Sequence, residues 1–366
     1  MITKLKNPLN IGQAKMSFSG LLILACISFV IVFINLQNVT RNPLPDRGEM
    51  ISAARQMVKA IQEIRKFRSE RHIPIPVDLD PIESGMIGRE FSAITTTLGD
   101  LKAKQVSVNP DFSALLVHWF HALDLSAGDR VVIHASGSFP SLSIASIIAA
   151  ETVGLNPLIF SSIGSSSFGA NIPELTYWDM EHHLYRMGII RNRTQYATPG
   201  GENDNGSSFW SGGVEIAKTA ALRNNYPFVL PDDLRQAIEM KYQWIKSWGN
   251  VKLFINIGGN QAALGRGTCT RQIPAGLITD KLSIACDTPG LIHLLNCESI
   301  PIIHLLNIKE LTLQNGIALD PVIKDNPGYT RLYYKIKRPV WMAMLSLIIL
   351  TLLMGGVRLY EKKYCD

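Results

Sequence analysis

Two long uncharged apolar runs bracket this chain and constrain it more than any other feature. The first is Ser17 to Leu36 (SFSGLLILACISFVIVFINL) and the second is Pro339 to Val357 (PVWMAMLSLIILTLLMGGV). A bilayer core takes about 20 apolar residues at about 1.5 Å rise each, so the expectation is two transmembrane helices around a folded middle. A cleaved signal peptide is the alternative for the first run, with Lys4, Lys6 and Lys15 as its basic leader. That run is longer than the roughly 7–15 residues of such a segment, and no A-x-A follows it, which favours an uncleaved anchor. Two anchors would put both tails on one side and everything between them on the other. The short basic leader favours cytoplasmic tails and an extracytoplasmic domain. The flanks do not decide the matter. The tails carry Lys4, Lys6, Lys15, Arg358, Lys362 and Lys363. The loop side carries at least as many, Arg41, Arg47 and Arg55 after the first run and Lys324, Arg331, Lys335, Lys337 and Arg338 before the second. Long domains also translocate largely regardless of charge.

The expected order is a basic tail (1–16), a transmembrane helix (17–36), and a linker with a membrane-proximal helical segment (37–108). An α/β domain (109–328) follows, then a basic and aromatic membrane-proximal segment (329–338), a second transmembrane helix (339–357) and a C-terminal tail (358–366). Only 18% of residues are charged and 46% are hydrophobic, so the middle can bury a core and is not a disordered chain. Much of the net charge of +6 sits in the tails. The balanced middle has no basic stripe interleaved with aromatics, which argues against nucleic acid as a partner. The basic cluster at 331–338, with Tyr329, Tyr333, Tyr334 and Trp341, reads as an interfacial belt.

Within the middle, Glu49 to Arg71 has apolar residues at three- and four-residue spacing (Met50, Ala54, Met57, Ile61, Ile64), so an amphipathic helix is expected. It docks on its own domain or serves as a dimerising stalk. Asn109-Pro-Asp111 opens a helix over Phe112–Leu123, and Arg130-Val-Val-Ile-His134 reads as a strand. A helix at Pro140–Val153, apolar nearly all round, leads to a second strand at Leu158–Phe160. Strand, helix, strand within this span is a βαβ unit. Two more buried strands are expected at Val251–Ile257 and Ile300–Leu306, with helical stretches at 212–224 and 231–247 between. The fold class is therefore α/β, a mainly parallel, Rossmann-like sheet between two terminal transmembrane helices, with an N-terminal amphipathic helix.

Ligands of open α/β sheets bind beyond the carboxyl ends of the strands. Here those ends are small, polar and Gly-containing, which gives candidate ligand-binding residues Ser136, Gly137, Ser138 and Ser141 after the first strand. Ser165, Ser166 and Asn171 follow the second strand, with Asn256, Gly258, Gly259 and Asn260 around the third. Loops near Ser138, Ser165 and Asn260 are expected to meet at one pocket. Neither 135–150 nor 161–173 contains Lys, Arg, Asp or Glu, so recognition by neutral donors is expected. The plainer alternative is turn and N-cap chemistry at Ser138 or Ser141. No cofactor is implied. Gly137-Ser138-Phe139 is not a nucleophile elbow, and Gly259 to Arg266 lacks the Lys and Ser/Thr of a P-loop. No Cys/His spacing suggests a metal site, and Cys269, Cys286 and Cys297 read as buried small residues or as a disulfide pair with one left over. In Trp178-Asp-Met-Glu-His-His183 a carboxylate can face an imidazole one turn on. That cluster reads as a polar network or helix cap, with a metal site as the alternative. On these grounds an enzyme is not expected.

Several strings resemble the poly-γ-glutamate system protein family: Ile94–Lys104 (ITTTLGDLKAK), Val108–Val117 (VNPDFSALLV), Ser136–Pro140 (SGSFP), Ser161–Asn171, Tyr177–Glu181 (YWDME) and Phe254–Gly259 (FINIGG). The resemblance runs from about 80 to 265. It implies a membrane-anchored accessory subunit of a poly-γ-glutamate synthesis or export system. The partners implied are the membrane, other membrane subunits and the anionic polymer itself. The competing reading is a hydrolase or transferase acting on γ-glutamyl amide bonds, with Ser138 or Ser141 as nucleophile and His134 or His182 as base.

Overall fold

β-Branched runs separated by apolar helices leave the chain one economical solution, a sheet buried on both faces. The computed structural model describes residues 18–320, 327–337 and 340–364. The basic leader at 1–16, Ser17, Lys324, Arg338 and Pro339 lie outside the described residues. The chain divides into two units, 44–333 and the paired termini 1–43 and 334–366.

The larger unit holds a six-stranded sheet. Its strands are β1 (Arg130–Ser136), β2 (Asn156–Ser162), β3 (Tyr196–Thr198), β4 (Val251–Ile257), β5 (Gly276–Ile278) and β6 (Ile302–Leu305). Their spatial order is β5-β6-β4-β1-β2-β3. All neighbours are parallel except β5, which runs antiparallel on the edge beside β6. The fold is thus a mixed, mostly parallel α/β sheet flanked by helices. Chain order reverses between β1 and β4, the place where doubly wound sheets open a crevice at their carboxyl ends.

Side chains alternate across the sheet. One face, with Val132, Leu158, Phe160, Phe254 and Ile302, packs on α-helices Leu234–Trp248, Gln261–Leu264 and Leu291–Cys297. The other face is covered by helix Pro140–Val153, with helices Asp111–Ala122 and Arg47–Glu70 packed against it in turn. The amphipathic helix accordingly docks on its own domain, burying Met50, Met57, Ile61 and Ile64. The crossover helix 140–153 is buried nearly throughout, which explains why it shows no apolar stripe.

In the smaller unit, helix Phe18–Gln37 leads into strand Thr40–Pro43, which pairs antiparallel with Tyr334–Lys337 ahead of helix Val340–Tyr364. Two membrane spans were expected here, and this is corrected. Among the described residues only Val340–Val357 is long and apolar enough to cross a bilayer. The apolar part of the first helix, Phe18–Ile34, falls short of that length, because Asn35, Gln37 and Asn38 cut it off. The two-span topology is withdrawn, and with it the placement of tails and domain on opposite sides. The aromatic belt is also reduced, since Tyr333 is fully buried in the larger unit and its hydroxyl donates to Asp111 Oδ1 at 2.6 Å.

Candidate functional site

Each strand end turns away through a tight, small-residue loop, and the reason is steric. A Cβ on Gly137 would sit 2.5 Å from the Ile163 carbonyl oxygen, so only glycine lets β1 and β2 splay there. Gly258 has a φ of +80°, which turns the chain out of β4. Beyond these turns lies a cavity of about 800 Å³. Ser136 and Ser138 reach it from the end of β1, Ser162 and Ser166 from the end of β2, and Gly259 and Asn260 from the end of β4.

The floor and the rim differ in character. Buried Ser136, Ser162, Ser166 and Asn260 form the floor with Lys104, which arrives on the short helix Leu101–Ser107. Lys104 Nζ donates to the Ser138 carbonyl, lies 2.7 Å from Ser166 Oγ, and sits 3.7 Å from the centroid of the Phe139 ring. No carboxylate bonds it among the described residues. Burial therefore disfavours its charged form and pushes its pKa down to about 7. Around the exposed rim stand Asp100, Glu202, Lys309 and Glu310, of which Lys309 and Asp100 pair at 2.5 Å. The expectation of a site without charged groups is corrected. The strand-end loops are neutral, but Lys104 and the rim charges come from segments far off in sequence.

Behind the floor runs a buried polar relay. His134 on β1, Asn256 on β4 and His304 on β6 occupy one register row. The His134 Nδ1 is 3.2 Å from Asn256 Oδ1, and Asn256 Nδ2 lies 3.0 Å from His304 Nδ1. Lys241 Nζ bonds His134 Nε2 at 3.0 Å and pairs with Asp204 Oδ2 at 2.6 Å. Asp204 Oδ1 in turn accepts from Asn260 at 2.9 Å and Thr198 at 3.1 Å. Burial, reinforced by the Lys241 charge, holds His134 well below the usual imidazole range. Burial alone pushes His304 down to about 4.

The remaining sequence candidates take other places. Ser141 is buried 2.9 Å from Ser107 Oγ, and Ser138 Oγ accepts from the Ser166 N–H at 3.0 Å. Neither hydroxyl bonds an imidazole or carboxylate among the described residues. Ser165 Oγ donates to the Ser166 carbonyl, and Asn171 ties Arg89 and Thr95 together. His182 bonds Arg193, while His183 bonds Glu63 at 2.8 Å and stacks on Phe67. Asp179 closes a capping box with Thr176 and is held by Arg223 and Asn224. The Trp178–His183 cluster is therefore a cap and an interhelical polar network.

The expectation that the chain carries no metal signature, on which the reading as a non-enzyme partly rested, is corrected as well. Cys269, Cys286 and His293 bring three ligand atoms within 4.8 Å of one another. Cys269 and Cys286 are joined as a disulfide, and Cys286 Sγ lies 3.2 Å from His293 Nε2. No Cys-x-x-Cys spacing announces the cluster, because the loop between the two cysteines is what folds them together. Two thiolates and one imidazole are the ligand set of an open zinc site; in the disulfide form those thiolates are not available.

No family model matches the chain, and neither a curated protein nor a solved structure matches it. What the site can do rests on its own chemistry. A floor of hydroxyls, one amide and one amine at the carboxyl edge of a parallel sheet can hold a single carbonyl or carboxylate group. On the rim Asp100 pairs with Lys309 and Glu202 with Arg266 at 3.6 Å, which leaves Glu310 as an added negative charge at the entrance.

Proposed function

We propose that this chain is an accessory subunit of a poly-γ-glutamate synthesis or export system, attached to the membrane through Val340–Val357. Its cavity takes one γ-glutamyl unit or chain end. One observation carries this reading. Four of the strings that resemble the poly-γ-glutamate system family, 94–104, 136–140, 161–171 and 254–259, are far apart in sequence, yet all four contribute to the walls of one cavity. The parallel sheet gathers its strand-end loops on one edge by topology, and the small polar residues those strings supply there are of the kind a ligand pocket uses.

The charge distribution supports a terminal unit over a threaded polymer. Among the described residues Lys104 Nζ is the one amine on the floor and suits one carboxylate or carbonyl, and no further cation on the floor would hold a second unit. Titration of the full chain in detergent micelles with γ-glutamyl dipeptide, α-glutamyl dipeptide and long poly-γ-glutamate tests this. The γ-glutamyl dipeptide is expected to bind, and Asn260→Ala or Lys104→Met to weaken it at least tenfold. Equal binding of the α- and γ-linked dipeptides, or binding of the long polymer alone, would refute it.

A further inference from the structure

Lys104 is the least expected side chain in the cavity. A buried cation is normally matched by a carboxylate, yet the partners of Lys104 Nζ are a backbone carbonyl and a serine hydroxyl. The acids nearest in the cavity are engaged or exposed. Asp100 pairs with Lys309 and caps its own helix, and Glu202 and Glu310 stand on the rim. Lys104 is 2% exposed and Ser166 9%, and both face the open cavity rather than solid packing.

The hydrogen-bond inventory lets this contact run in either direction, set by the protonation of the amine. A neutral amine offers two N–H donors and one lone pair. The Ser138 carbonyl can only accept, so it takes an N–H. The 2.7 Å contact has Lys104 Nζ donating to Ser166 Oγ; when the amine is neutral, its lone pair can instead take the Ser166 Oγ proton. The backbone N–H of Ser166 is occupied by Ser138 Oγ, which fixes the residue from the other side. We propose that Ser166 is a nucleophile and Lys104 its general base, forming an acyl-transfer centre for amide bonds within this cavity. The choice of a γ-glutamyl amide as substrate rests on the function proposed above; the pair itself does not.

In the step this geometry permits, Ser166 Oγ attacks the amide carbonyl carbon while its proton passes to Lys104 Nζ. The C–N bond breaks as the ester forms, and Lys104 returns the proton to the departing amine. Water then attacks the ester carbonyl, giving one proton to Lys104, which restores it to Ser166 Oγ as the acid leaves. An amide and water become an acid and an amine, and an amine acceptor in place of water would give transfer instead of hydrolysis. Lowering the lysine's proton affinity by burial is what makes it a base near neutral pH.

The full chain in detergent micelles, treated with a fluorophosphonate probe and digested for mass spectrometry, tests the pair without presuming a substrate. An adduct on Ser166 is expected, formed faster as pH rises through about 7. Ser166→Ala should abolish it, and Lys104→Arg, whose guanidinium stays charged, should slow it by about 100-fold or more. If Lys104→Arg fails to fold, Ser166→Cys supplies a second reading. Its thiol should alkylate with iodoacetamide faster at pH 7 than exposed Cys297 of the same chain, because an adjacent lysine lowers a thiol's pKa. No adduct on Ser166, an adduct whose rate ignores a folded Lys104→Arg change, or a Ser166→Cys thiol no faster than Cys297 would each overturn the proposal. Labelling of Ser166 without turnover of a γ-glutamyl anilide would support the pair and overturn the γ-glutamyl assignment.

Discussion

His304 offers a pH measurement whose sign and size follow from its surroundings. It lies on the central part of the sheet, wholly buried, with Asn256 Nδ2 donating to its Nδ1 and no partner for its Nε2 among the described residues. Such a site tolerates the neutral ring and resists the charged one. In the folded chain the ring's pKa is pushed down to about 4, whereas an unfolded histidine titrates near about 6.5. Between these values the unfolded chain binds the extra proton, so the stability contribution is complete above about pH 6.5 and is lost as pH falls towards 4. At pH 5 the loss is about 2 kcal/mol, and below pH 4 it levels off a little above about 3 kcal/mol. The assay compares urea unfolding of the full chain with that of His304→Leu at pH 7.5 and pH 5. The variant loses the Asn256 contact, a pH-independent offset of about 1 kcal/mol, and relieves an unpaired buried donor. Carboxylates titrate alike in both chains and cancel. The gap between wild type and variant should therefore shift by about 2 kcal/mol in the variant's favour on acidification. Parallel stabilities at the two pH values would refute the reasoning. His134, lowered in the same direction, should give a second shift of the same sign.

Lys241→Met would leave the Asp204 carboxylate buried without its cation, and is expected to cost about 3–5 kcal/mol. Adding Asp204→Asn should recover most of that loss in a double-mutant cycle, and a strictly additive cycle would contradict the pairing. Reduction of Cys269–Cys286, which closes a loop with a sequence separation of 17, should lower stability by about 3 kcal/mol on the chain-entropy account. Cobalt added after reduction should then give a thiolate charge-transfer band that is absent from the oxidised chain and from Cys286→Ser. A band of equal strength before reduction would count against the disulfide.

The parallel core was legible because its strands and crossover helix are long enough to print a pattern. Pro140–Val153 and Val251–Ile257 have the expected bounds, and burial on both sides explains why apolar residues run through them without a clear stripe or alternation. Strands β3 and β5 are three residues each on the sheet edges, too short for any period. The strand-end glycines and serines were legible as a composition, since close backbone approach demands small residues. The sequence determined the alternation of strands and helices and the small neutral loops. Of the two spans it suggested, one, Val340–Val357, is long and apolar enough among the described residues. Only the tertiary structure brought Lys104 onto Ser166, Asp204 onto Lys241, and Cys269 and Cys286 beside His293. Nothing in Asp100-Leu-Lys-Ala-Lys104 marks Lys104 as buried, because a seven-residue helix is too short for a periodicity to show which side packs. Local pattern reports which face of an element is apolar. Which distant polar groups share a dry site depends on chain crossings that local periodicity does not encode.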